Sequence, residues 1–237
     1  MRGWWGRLGT EAIKDTSPTE FGSFIRLRWG IEATSLRSSL LKRRKVNMHK
    51  NICVFCSSSA AIAPTFFEVT TELGTLIAQH NHTLVYGGAD VGLMGALARS
   101  VHTHGGKVVG VIPESIRNKG IAYEAADELV VTKDLRERKA VMEAHADAFV
   151  GLPGGFGTLE EILEILTLKQ LQFHNKPIIF VNTNGFYRDL FSHFEQLYQE
   201  RFAKPDYRHL YFIAPDAASA ISHIETYRPI QLQSKWF

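Results

Sequence analysis

Nine consecutive residues, Pro153-Gly154-Gly155-Phe156-Gly157-Thr158-Leu159-Glu160-Glu161, combine the types needed to hold an anion and to do chemistry beside it. Glycine lets the backbone approach a ligand closely and adopt positive φ. Successive N–H groups at a helix start form an anion nest, which the helix dipole reinforces. Thr158 can add a hydroxyl to the same phosphate. A second glycine run, Gly87-Gly88-Ala89-Asp90-Val91-Gly92-Leu93-Met94-Gly95, and a polar turn, Ser57-Ser58-Ser59, offer further backbone donors. Neither glycine run has the G-x-G-x-x-G spacing, and no Gly-Lys-Ser/Thr follows, so a dinucleotide cofactor or ATP hydrolysis is poorly supported. Gly87-Gly88 alone reads equally well as a tight turn.

Glu161 has two readings. Thr158-Leu159-Glu160-Glu161 fits a capping box, in which the glutamate bonds back to a backbone N–H, and on pattern alone this reading is preferred. Alternatively, a carboxylate beside an anion nest polarises water or stabilises a developing cation. Its candidate partner lies in Asp134-Leu135-Arg136-Glu137-Arg138-Lys139-Ala140. Arg138 and Met142 stand at i, i+4 and share a helix face, whereas Arg136 and Glu137 are expected on a solvated face. A helix starting at a strand's carboxyl end delivers Arg138 and Lys139 to the ligand crevice, where an arginine holds phosphate bidentately or orients a substrate.

Other candidates resolve more simply. Cys53 and Cys56 form C-x-x-C inside a strand, where residues i and i+3 point to opposite faces, which argues against redox or metal chemistry. His80, His82, His102 and His104 fall at helix ends without an accompanying ligand cluster and are expected to be solvated or C-capping, so no metal site is expected.

The elements that must position these residues alternate. Strand-like runs occupy 51–56, 83–86, 107–112, 128–132, 147–152 and 177–181, and helical patterns fall near 64–80, 91–104, 134–146, 158–173, 186–200 and 215–226. Such alternation predicts βαβ units and a Rossmann-like α/β fold, a doubly wound parallel sheet buried on both faces. Ligands then bind outside the carboxyl ends of the strands, where all three polar turns fall.

The 237 residues suit a single domain plus an appendage. Residues 1–47 hold 10 Lys/Arg against 4 Asp/Glu and three of the four Trp, without helical or strand periodicity, whereas the rest of the chain is slightly acidic. This segment reads as a poorly ordered, flexible extension, or as an upstream start with Met48 the true one, ahead of a Rossmann-like domain over 48–237. A basic excess confined there argues against nucleic-acid binding. No apolar run reaches the roughly 18 to 20 residues that span a bilayer, so no membrane partner is expected. Two cysteines are too few for a disulfide framework, which points to the cytoplasm.

The run 151–161, with Cys56-Ser57-Ser58-Ser59, Tyr86-Gly87-Gly88, Val91-Gly92-Leu93-Met94-Gly95, Gly110-Val111-Ile112-Pro113 and Glu137-Arg138-Lys139, resembles the P-G-G-x-G-T-x-x-E signature and flanking motifs of the LONELY GUY (LOG) family. Those proteins are cytokinin riboside 5′-monophosphate phosphoribohydrolases, in places labelled "possible lysine decarboxylase". The resemblance implies hydrolysis of the N-glycosidic bond of N6-modified adenosine 5′-monophosphates, releasing free base and ribose 5-phosphate without metal or organic cofactor. It places catalytic roles on Arg138 and Glu161, which stand 23 residues apart. Substrate and phosphate contacts are implied at Lys139, at Gly154, Gly155, Phe156, Gly157, Thr158, Leu159 and Glu160, at Thr167, and at Ser57, Ser58, Gly87, Gly88 and Met94. It also implies a homodimer with sites near the subunit interface. The sequence departs at Gly120, where plant-like members carry an acidic substrate contact, so base recognition is expected to differ. Two rivals stand beside this reading. One is a pyridoxal phosphate lysine decarboxylase, which needs a Schiff-base lysine that the sequence does not single out. The other is a nucleotide-binding or carrier module that performs no reaction.

Overall fold

Seven short runs rich in Val, Ile, Leu and Phe pair as strands because each is apolar on both faces. The computed structural model describes residues 49–231, and the extension expected over 1–47 lies outside the described residues. The strands are β1 (Asn51–Phe55), β2 (Thr83–Tyr86), β3 (Lys107–Pro113), β4 (Glu128–Thr132), β5 (Ala148–Gly151), β6 (Ile178–Val181) and β7 (Phe212–Ala214). The helices are α1 (Pro64–Gln79), α2 (Gly92–Thr103), a single turn α3 (Glu114–Arg117), α4 (Leu135–His145), α5 (Phe156–Gln170), α6 (Arg188–Gln199) and α7 (Ala217–Thr226).

All pairings are parallel, in the order β4-β3-β2-β1-β5-β6-β7. The chain winds outward from β1 in one direction and from β5 in the other, so the crevice between their carboxyl ends is the topological switch point. The expected doubly wound sheet is present, with one strand more than the sequence reading gives. β7 has only three residues and sits at the sheet edge, too short for an alternation signal.

Alternate residues of β1 enter different cores. Ile52, Val54 and Cys56 pack with Leu73, Leu97 and Ile221 on the face covered by α1, α2 and α7. Cys53 and Phe55 pack with Met142, Ile162 and Phe180 on the face covered by α4 and α5. The two cysteines therefore face opposite ways, free and buried, and burial pushes both thiols well above their ordinary range.

One expectation about the histidines needs correction. His80 and His82 do gather a third candidate ligand, Glu225 of α7, and one ligand atom from each lies within 4.8 Å of the others. The His80 Nδ1 to Glu225 Oε1 distance is 2.7 Å. Glu225 lies 145 residues from His80, so no local spacing announces the group. Its hydrogen bonding favours an anchor between α1 and α7 over a metal centre. The Lys50 N–H donates to His82 Nδ1 at 3.3 Å, which leaves the ring proton on Nε2, the atom a cation would need. His104 behaves as expected, its Nδ1 standing 2.9 Å from the Ser100 carbonyl at the end of α2.

Candidate active site

Two residues separate β4 from the start of helix α4, at the carboxyl edge of the sheet. The Asp134 carboxylate accepts the N–H groups of Arg136 and Glu137, each at 2.9 Å, and Glu137 reaches back to accept the Lys133 N–H at 2.8 Å. A reciprocal cap thus exists here, so Glu137 braces the helix start instead of lying idle on a solvated face. One turn into α4, Arg138 points into the crevice while Met142, on the same face, is buried in the core beneath.

The Arg138 guanidinium is held at three points. Its Nε donates to the Val111 carbonyl of β3 at 3.1 Å, and its Nη1 donates to Glu161 Oε1 at 2.8 Å. Its Nη2 passes over the bare α-carbon of Gly87, where a β-carbon would lie 2.2 Å away. The same β-carbon would lie 3.1 Å from Met94 Sδ, so Met94 flanks the guanidinium. Both ionic side chains are 12% exposed, which makes this a largely desolvated pair. Burial pushes the Glu161 carboxyl above the usual carboxylate range, and the charge and hydrogen bond of Arg138 oppose that rise without cancelling it.

The glycine turn after β5 supplies the other half of the site. Helix α5 takes Gly155 as its N-cap, with no side chain capping it and no acidic residue in its first turn. The first intrahelical bond there is Leu159 N–H to Gly155 O, leaving the preceding amides as open donors at the positive end of the helix dipole. Gly155, Phe156 and Gly157 are all exposed. Gly154 has to be glycine because a β-carbon there would sit 2.1 Å from the hydroxyl of buried Thr158. The capping-box reading of Glu161 is therefore wrong: Thr158 lies inside the helix, and the carboxylate is spent on Arg138. Tyr187, which sequence reasoning passed over, fixes the turn from below by donating its hydroxyl to the Leu152 carbonyl at 2.5 Å.

Ser57 and Ser58 close the crevice after β1. The Ser57 carbonyl accepts the Leu93 N–H at 3.0 Å, and Gly92, at φ +52°, lets the Ser58 backbone pack where its β-carbon would be. Gly88, at φ +75°, makes the adjoining turn. The structure thus brings together Arg138, Glu161, Gly87, Gly88, Met94, Gly154, Thr158, Ser57 and Ser58. It does not bring in Lys139, whose amine pairs with Glu160 and with Glu164 Oε2 at 2.6 Å, tying α4 to α5. Leu159 packs against the core instead of the crevice. Thr167 donates to the Leu163 carbonyl at 2.8 Å on the exposed side of α5, about 9 Å along the helix from Glu161.

A doubly wound sheet with a largely buried Arg–Glu pair and uncapped helix-start amides at its switch point defines an α/β class with its candidate site at the carboxyl edge of the strands. Within that class, the family described as "Possible lysine decarboxylase" matches residues 94–224. Cytokinin riboside 5′-monophosphate phosphoribohydrolase LOG1 of Arabidopsis thaliana is 42% identical over 180 residues, 76% of this chain and 84% of LOG1. LOG5 of the same plant, which carries the same enzyme name, is 38% identical over 191 residues, 79% of this chain and 84% of LOG5. The chain belongs to this LOG family of "possible lysine decarboxylase" proteins. Among solved structures, the molybdenum cofactor carrier protein of Chlamydomonas reinhardtii superposes with a TM-score of 0.59 at 24% identity, covering 75% of this chain and 96% of that one. The molybdenum cofactor binding protein of Rippkaea orientalis gives 0.59 at 23%, covering 76% and 98%. At such identity these two share the fold, which by itself assigns no chemistry.

Proposed function

We propose that this protein hydrolyses the N-glycosidic bond of adenosine 5′-monophosphates, N6-modified ones included, to free base and ribose 5-phosphate. The observation that carries the reading is the desolvated Arg138–Glu161 pair, set beside uncapped amides at the start of α5. The 5′-phosphate sits on the Gly154–Thr158 nest and draws the ribose across the switch point. Cleavage of the C1′–N9 bond leaves positive charge on the sugar, as in glycoside hydrolysis. Glu161 stabilises that charge and takes a proton from the attacking water, a task its raised pKa suits. The water oxygen bonds to C1′, while N9 leaves with the electron pair and the base takes up, by way of solvent, the equivalent of the proton that Glu161 removed from water. Arg138 orients the nucleotide and assists the departing base. The cytokinin names of LOG1 and LOG5 support the N6-modified substrate. Gly120 holds φ +71° in open space, so backbone strain disfavours the acidic side chain of plant-like members and leaves base choice to other groups.

We further propose a homodimer, which would complete the surroundings of Phe156 and Thr167, and a cytoplasmic location. Two free, buried cysteines suit a reducing compartment, and no described helix is long and apolar enough to cross a membrane. The test is incubation with AMP and with N6-isopentenyl-AMP, followed by an assay for ribose 5-phosphate. Release from either substrate is expected, with at least a hundredfold loss in Glu161→Gln and Arg138→Ala. Binding without release would instead support the carrier reading, and near-normal turnover by either variant would sink the assigned roles.

A further inference from the structure

A cavity of about 350 Å³ lies at the amino ends of the strands, the opposite edge of the sheet from the Arg138–Glu161 pair. It opens where β6 and β7 begin, at Ile178 and Phe212, beneath the last turn of α5 and the end of α7. Lys169 forms its floor and is only 3% exposed, an uncommon condition for a lysine. Buried ammonium groups are ordinarily neutralised by a carboxylate. Here no carboxylate lines the cavity, and none forms an ion pair with Lys169 among the described residues. Among the described residues the Tyr227 ring faces the amine, which lies 4.9 Å from the ring centroid.

The other polar groups at the cavity are basic or neutral. His223 lies on the wall, stacked flat against Phe212 with ring centroids 4.1 Å apart. Arg228 and His209 stand exposed at the rim. Arg208, also on the rim, is already neutralised by Glu195. The remaining wall is apolar or aromatic, from Ile178, Phe212, Tyr227 and Ile230. Positive charge with no counter-ion among the described residues, set among flat apolar surfaces in an open cavity, is complementary to an anion carrying an aromatic body. The tyrosine contact and the position at a helix C-terminus help an ammonium group but do not neutralise it.

We propose that this cavity is a binding site for a small aromatic anion, a carboxylate or phosphate monoester, whose charge pairs with Lys169 and whose ring lies against Phe212 and Ile230. Burial alone holds the Lys169 amine down at about 8, so it is still mostly protonated at neutral pH and receptive to an anion. The site lies at the amino ends of the strands and needs no part of the Arg138–Glu161 machinery.

The test is a fluorine NMR titration of the full-length protein with 4-fluorobenzoate and with its neutral counterpart 4-fluorobenzamide. The carboxylate is expected to bind saturably and the amide at least tenfold more weakly. Lys169→Met should weaken carboxylate binding at least tenfold, and Arg228→Ala, at an exposed position, about threefold. A measurement on the unaltered protein stands beside these: limiting acetic anhydride should acetylate Lys169 at least threefold more slowly with 4-fluorobenzoate present, while exposed Lys107 is unaffected. Equal binding of acid and amide, undiminished binding to Lys169→Met, or no protection of Lys169 would each overturn the proposal. Because binding is read without turnover, the result is independent of the proposed hydrolase activity.

Discussion

Arg138 reaches Glu161 across Gly87, which leaves it room by having no side chain. Most glycines in such turns are kept by backbone angle, as Gly88 is at φ +75°. Gly87 is different: its constraint is the guanidinium, whose Nη2 occupies the space a β-carbon needs. The clash would fall chiefly on the far end of a long side chain and not on backbone, so the fold can yield while the Arg138–Glu161 geometry cannot. Gly87→Ala is therefore expected to lower the melting temperature modestly, through the strained Arg138–Glu161 pair, yet cut kcat about a hundredfold, the scale of a roughly 1 Å misplacement at a reacting centre. Parallel thermal melts and ribose 5-phosphate assays check this. A variant that melts far below the wild type would relocate the role of Gly87 to the fold.

At the level of elements, the loop joining α5 to β6 is pinned by one imidazole. His174 Nδ1 accepts the Lys176 N–H at 3.2 Å, so its proton lies on Nε2 and is directed at the Ile165 carbonyl 3.0 Å away. The ring also packs 5.5 Å from Phe149. Burial lowers its pKa to about 4, against about 6.5 in an unfolded chain. Between those values the unfolded state binds a proton that the native state refuses, so stability is full above pH about 6.5 and is lost as pH falls towards about 4. Urea midpoints measured across that window should fall with acid and fall less steeply in His174→Gln. His82 and His223, also lowered by burial, contribute with the same sign, so the slope is reduced and not abolished.

Elements of this kind were legible where the signal was local. The glycine turns, six of the seven strands and the delivery of Arg138 by α4 all follow from periodicity and order along the chain. The capping pattern misled because Thr-x-x-Glu is the same string whether threonine caps a helix or lies inside one. Only the backbone at Gly155 decides between them. Long-range partners left no local trace: Glu225 beside His80 and the Tyr187 hydroxyl on Leu152 both depend on the sheet order.

Across the whole molecule, the exposed apolar residues near the carboxyl edge remain to be accounted for. Phe156 is 93% exposed in the first turn of α5, and Leu135 is 53% exposed at the start of α4. Both belong to the helix starts that build the site, so covering them would also shield the Arg138–Glu161 pair from water. A ring as large as Phe156 is a strong anchor if a second copy buries it, and a stable dimer needs about 800 Å² from each partner. In the proposed dimer, Phe156→Asp would place a charge in that contact and should raise the dimer dissociation constant more than tenfold, read by light scattering over a dilution series. If the interface shelters the site, wild-type kcat/KM should fall over the concentration range in which the dimer separates, and the variant should show that lower value throughout. A variant that dimerises as tightly as the wild type would leave Phe156 to the substrate alone and move the interface elsewhere.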